Sequence, residues 1–126
     1  MARVLVVDDD SHCGVLLKLF LDDKGYDVRT AANGSSAVSI GSAFDPHLVI
    51  TDWLLNDNLD GISVADILRR RNPDLGLILL TGWPLEQCRE RLRCFPDAVL
   101  FQKPVDLDRL LYSLDCLSPR RMFRSA

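Results

Sequence analysis

The chain has 126 residues, 48% hydrophobic and 26% charged, the make-up of one globular domain able to bury a single core. Its formal net charge of −3 gives no general pull toward nucleic acid or an anionic membrane, and no run approaches the roughly 20 apolar residues of a membrane span. Met1-Ala2-Arg3 leads straight into a strand, so no room for a signal peptide is expected.

Arg3–Val7 is a continuous apolar run, as in a strand covered on both faces. Ser11 can cap the helix that follows, where Cys13, Leu16, Leu17, Phe20 and Leu21 recur at three-and-four spacing until Gly25 stops it. Asp27–Ala31 reads as a short second strand and Asn33-Gly34 as a turn. Ala37, Val38, Ile40, Gly41 and Phe44 mark a second helix, ended by Pro46. Leu48–Thr51 is the third strand. Ile62, Ala65, Ile67 and Leu68 mark a third helix, stopped by Asn72-Pro73, and Leu75–Leu80 is the fourth strand. Pro84 suits the first turn of a fourth helix carrying Leu85, Cys88 and Leu92. Ala98–Phe101 is the fifth strand, and Asp106 or a neighbour opens a last helix with Leu107, Leu110, Leu111 and Leu114. Five alternations of strand and helix predict a doubly wound α/β sheet.

Cys13, Cys88, Cys94 and Cys116 form no C-x-x-C pair, and most fall on apolar helix positions. Buried, reduced thiols and a cytoplasmic location are expected. His12 and His47 lack metal-ligand spacing to each other or to a cysteine and read as ordinary histidines.

The strand ends are chemically unusual. Asp8, Asp9 and Asp10 follow the first, Asp52 closes the third, Thr81 follows the fourth and Lys103 follows the fifth, just before Pro104. Ligands of open parallel sheets bind beyond such carboxyl ends, where the strand order reverses. Asp10 as a helix cap, Thr81 as a β-former and Lys103 as a surface charge are each plain readings. Packing explains all four strand ends together poorly. Three carboxylates sharing a crevice repel, and each tends to hold a proton unless a cation offsets the charge. Oxygen donors without His or Cys suit Mg²⁺. A hydroxyl from Thr81 and an ammonium from Lys103 could bind the oxygens of a phosphoryl group, with the Asp52 carboxylate as nucleophile forming an acyl phosphate.

This constellation resembles the receiver domain of two-component response regulators over nearly the whole chain. Val6-Val-Asp-Asp-Asp10 is similar to the family's acidic first-strand motif, Thr81-Gly82 to its switch hydroxyl, Lys103-Pro104 to its Lys and usually cis peptide, and Asp60-Gly61 to the pair opening the third helix. The resemblance implies a flavodoxin-like five-stranded parallel sheet of order 2-1-3-4-5. It makes Asp52 the phosphoacceptor, assisted by Thr81 and Lys103. Mg²⁺ would be held by Asp9 directly, by Asp8 in support, by Asp52 and by the backbone carbonyl of Leu54. It further implies a histidine kinase or histidine phosphotransfer protein as donor and a downstream protein partner. Neither nucleic acid nor membrane would be bound directly, and the only catalysis would be of the domain's own phosphorylation and dephosphorylation. Residues 1–117 would form the receiver and 118–126 a short basic tail.

Two departures stand out. Asn56-Asp57-Asn58 replaces the usual loop chemistry in a loop one residue longer than common, and Leu100 stands where the family usually has Tyr or Phe, with Phe101 one step later on the opposite face. Other readings compete. A phosphorylation-independent docking module with a relict pocket is one. A haloacid-dehalogenase-like phosphatase is another, but it wants a second Asp two residues after the nucleophile, where Leu54 stands. No G-x-G-x-x-G follows the first strand to support dinucleotide or flavin binding.

Overall fold

The computed structural model describes residues 2–55 and 59–118. Five parallel strands, β1 (Arg3–Val7), β2 (Asp27–Ala31), β3 (Leu48–Asp52), β4 (Gly76–Thr81) and β5 (Val99–Gln102), form one sheet in the order β2-β1-β3-β4-β5. The helices are α1 (Ser11–Asp23), α2 (Gly34–Phe44), α3 (Gly61–Arg71), α4 (Leu85–Cys88) and α5 (Leu107–Leu117), with a 3₁₀ segment, Arg89–Cys94, after α4. This is the expected doubly wound α/β fold. Asn56-Asp57-Asn58 and the tail beyond Ser118 lie outside the described residues.

The strands explain the layering. Every residue of β3 and β4 is buried, because both faces of these central strands are covered. Edge strand β2 buries only Val28 and Ala31. Val4, Val6, Ile50 and Leu80 pack with Leu17 and Leu21 of α1 and Leu110 and Leu114 of α5. Leu5, Val7, Val49 and Leu77 pack on the other face with Ala37, Val64 and Leu68 of α2 and α3.

Acids and Asn33 supply the starts of α1, α2, α3 and α5. Asp10, not Ser11, caps α1, accepting the His12 amide at 2.9 Å. Asn33 accepts from Ser36, Asp60 from Ser63 and Asp106 from Asp108, each satisfying an otherwise unpaired first-turn amide. Asn33-Gly34 is thus a helix start rather than a free turn. Gly25, at φ 90, ends α1 in the left-handed region that glycine enters without steric cost.

Three further sequence expectations need correction. Cys13, Cys94 and Cys116 are exposed, and only Cys88 is buried. The buried stripe of α1 is Gly14, Leu17 and Leu21, which turns Cys13 and Leu16 outward. The fourth helix stops after one α-turn and winds on as 3₁₀, closed by a Phe95 amide to Leu92 carbonyl bond of 2.9 Å that brings Phe95 into the core.

Candidate functional site

Register brings the polar strand ends level. Val7 pairs with Thr51 across β1 and β3, so Asp8 and Asp52 emerge side by side. Asp52 pairs with Leu80 and Thr81 with Gln102, and the Lys103 amide donates to the Thr81 carbonyl at 2.7 Å. The reversal of strand order falls between β1 and β3, which opens the crevice there.

Asp8, Asp9 and Asp52 each offer a carboxylate oxygen within 4.8 Å of the others. Asp8 and Asp52 are buried. Asp8 Oδ1 accepts the Asp10 amide at 2.9 Å, whereas its Oδ2 has no partner among the described residues. Lys103 Nζ lies 2.7 Å from Asp52 Oδ1, a charge contact not directed as a hydrogen bond. Burial, and after it the close Asp8 carboxyl, push the Asp52 carboxyl up to about 7, against the opposing pull of Lys103. Burial works to lower the Lys103 ammonium, but Asp52 and Asp8 outweigh it and hold the group above its usual value.

A cleft of about 230 Å³ opens over these groups. Asp9, Asp52, Thr81 and Lys103 supply its polar wall, and Leu54 and Trp83 its outer, apolar one. Gly61 closes the far side of the loop. Its amide donates to the Trp53 carbonyl at 2.8 Å, and a Cβ there would stand 2.1 Å from the Asp52 carbonyl oxygen. The Asp60-Gly61 pair therefore both caps α3 and lets it approach the β3 end.

An all-oxygen donor set with a buried, unpartnered Asp8 oxygen fits a hard divalent cation such as Mg²⁺. Of the residues expected from sequence, Asp9, Asp52, Thr81, Lys103 and Leu54 line one cleft, and Asp8 touches its acidic corner. The Lys103-Pro104 peptide is cis.

Two features escaped the sequence reading. The Cys88 thiol stands 3.7 Å from Thr81 Oγ1. An apolar groove of about 540 Å³ also runs from Leu16 on α1 past Cys13 to Leu107, reaching Asp8 and Lys103 at one end.

Fold and cleft together define a flavodoxin-like α/β module with an acidic pocket at the carboxyl edge of its sheet. Residues 4–115 match the response regulator receiver domain, and the chain belongs to that family. It is 30% identical over 95% of its length to the DNA-binding dual master transcriptional regulator RpaA of Synechocystis, covering 50% of that protein. It is 34% identical over 63% of its length to the nitrogen assimilation regulatory protein NtrX of Azorhizobium caulinodans, covering 18% of it. The chain thus spans half or less of these curated relatives. Among solved structures, the response regulator TrrA of Thermotoga maritima, in complex with Mg²⁺-BeF, is 31% identical, with a TM-score of 0.79 over 93% of this chain and 99% of that one. A receiver domain from Clostridium thermocellum shares the fold at a TM-score of 0.85 and 24% identity, each chain covered to 98%. Receivers of this family are signalling proteins of two-component systems, and no helix among the described residues is long and apolar enough to cross a membrane.

Proposed function

We propose that this domain accepts a phosphoryl group on Asp52 from a histidine kinase or histidine phosphotransfer protein and signals through a protein-interaction surface. The observation that carries the reading is the acidic corner, where three carboxylates converge on a buried Asp8 oxygen that nothing among the described residues satisfies. Asp8, Asp9, Asp52 and the Leu54 carbonyl would hold Mg²⁺. When bound, the ion supplies charge neutralisation for the carboxylates and for phosphoryl oxygens.

The chain's own groups do the rest. Asp52 Oδ attacks phosphorus, the P–N bond to the donor imidazole breaks, and an acyl phosphate forms on the carboxylate. Lys103 leaves its contact with Asp52 Oδ1 to face the developing phosphoryl charge, and the Thr81 hydroxyl donates to a phosphoryl oxygen. The groove along α1 suits the donor's approach, because it presents Leu16 and Leu107 to an apolar helix face and leads to Lys103. Val15, Leu16 and Leu19 are all more than half exposed on the same helix, an apolar strip that a soluble domain has no packing reason to display.

The test is labelling by acetyl phosphate in Mg²⁺. One equivalent on the wild type, none on Asp52→Ala, and none after chelation is the expected result. Undiminished labelling of Asp52→Ala sinks the assignment.

A further inference from the structure

Thr81 is held from two directions. Its Oγ1 accepts the Trp83 amide at 2.9 Å and lies 3.7 Å from the Cys88 sulfur. Cys88 is fully buried in a small cluster with Trp53 and Leu79, which Leu92, Ala98 and Leu100 cover. The same sulfur stands 3.7 Å from the Pro84 carbonyl oxygen, one helical turn back. A thiol carries one proton, so two acceptors at equal distance compete for it.

The segment around Cys88 is lightly built. Helix α4 has four residues and no side-chain cap at Pro84, and it continues at once as 3₁₀. Leu100, the β5 side chain on this cluster, has no polar atom with which to follow a moving hydroxyl. Cys88 has one, already in contact with Thr81.

We propose that Cys88 reads the state of Thr81 for helix α4. Before phosphorylation its S–H is divided between Thr81 Oγ1 and the Pro84 carbonyl. When Thr81 turns its hydroxyl toward a phosphoryl oxygen, the thiol donates to Pro84 alone and tightens the first turn of α4. No proton changes atoms, and only hydrogen bonds are exchanged. The inference rests on the phosphoacceptor reading of the cleft, and it gives the chain a polar link from Thr81 to α4 that Leu100 cannot supply. A signal needs such a differential interaction between states.

The experiment uses the full chain with the three exposed thiols removed, Cys13→Ser, Cys94→Ser and Cys116→Ser, so that the infrared S–H stretching band reports Cys88 alone. Beryllofluoride with Mg²⁺ serves as the phosphoryl mimic, and fluorine NMR shows independently whether it is bound. Loading is expected to move the band to lower wavenumber and narrow it, as a shared donor becomes a single one. Thr81→Val in the same background should show the lower, narrow band without any mimic. A bound mimic with an unmoved band overturns the proposal and leaves the phosphoacceptor reading standing. Thr81→Val with an unchanged band in the free protein overturns the route through Thr81. Failure of the mimic to bind at all overturns the phosphoacceptor reading, and this proposal with it.

Discussion

Lys103 Nζ stands 2.7 Å from Asp52 Oδ1, yet this one ammonium does not keep the carboxyl ionised at its usual pKa. The reason is the company it keeps. Asp52 is nearly out of solvent and shares its corner with the Asp8 carboxylate, so burial and like charge together outweigh a single close cation. The pocket is thus poised to gain from a second positive charge, which a divalent ion would bring.

Stability should carry the mark of that imbalance. Asp52 ionises near 3.8 in an unfolded chain and near 7 in the folded one, so between these values the folded state holds the extra proton. Folding stability contributed by this group therefore falls as pH rises through the window and is lost above it. Asp52→Asn removes the penalty and should be more stable than wild type at pH 8 without metal, by on the order of 2 kcal/mol, with the gap closing toward pH 4. Urea denaturation of both proteins at a series of pH values checks it. A gap that widens on acidification contradicts the assignment of the raised group.

Mg²⁺ should stabilise the folded wild type by mass action and change its tryptophan emission. Trp53 is buried and directly follows Asp52, whereas Trp83 is 41% exposed on the cleft wall. The emission change is expected to vanish in Trp53→Phe and persist in Trp83→Phe. Asp9→Ala should weaken the titration more than Asp8→Ala. The opposite tryptophan pattern would place the ion nearer the loop after β4.

Gly61→Ala tests the close approach behind the acidic corner. Its Cβ would stand 2.1 Å from the Asp52 carbonyl oxygen, and that neighbour is backbone and cannot rotate away. The end of β3 or the start of α3 must shift, at about 3 kcal/mol, the upper part of the usual overpacking range. Chemical denaturation measures the loss, and the displaced loop should also weaken Mg²⁺ binding. A neutral substitution would mean that the loop relaxes freely.

The sequence carried the sheet well, because β1, β3 and β4 are continuous apolar runs that only a doubly covered strand explains. It carried the polar strand ends too, because parallel register makes them neighbours. Helix faces were harder to read. Leu16 and Leu17 are equally apolar, and periodicity alone did not say that Leu16 faces the groove while Leu17 enters the core. Asp10 and Ser11 are both competent caps by residue type, and the structure uses Asp10, whose backbone is extended at φ −90 and ψ 106. The 3₁₀ winding after Cys88 ends where Phe95 enters the core, a tertiary contact with no local signature. The Thr81–Cys88 contact was hidden for the same reason. It depends on how the turn at Pro84 folds α4 back over the end of β4.

The last prediction concerns how long a phosphoryl group persists. An acyl phosphate on Asp52 is lost when water attacks in line, from the side opposite the carboxylate oxygen that leaves. On the phosphoacceptor reading that approach passes the mouth of the cleft, which Leu54 and Trp83 line. Both are bulky, and neither offers a group that orients water. Slow self-dephosphorylation is the expected outcome. Trp83→Ala opens the mouth, and Leu54→Asn adds a side chain that can hold a water, so each should shorten the phosphoryl lifetime. The scale is about tenfold for each 1.4 kcal/mol removed from the barrier. Decay of purified phosphoprotein in Mg²⁺, free of donor, measures it directly. Equal decay rates in wild type and both variants would show that water reaches phosphorus by another path, and that the apolar wall serves donor or partner contact instead.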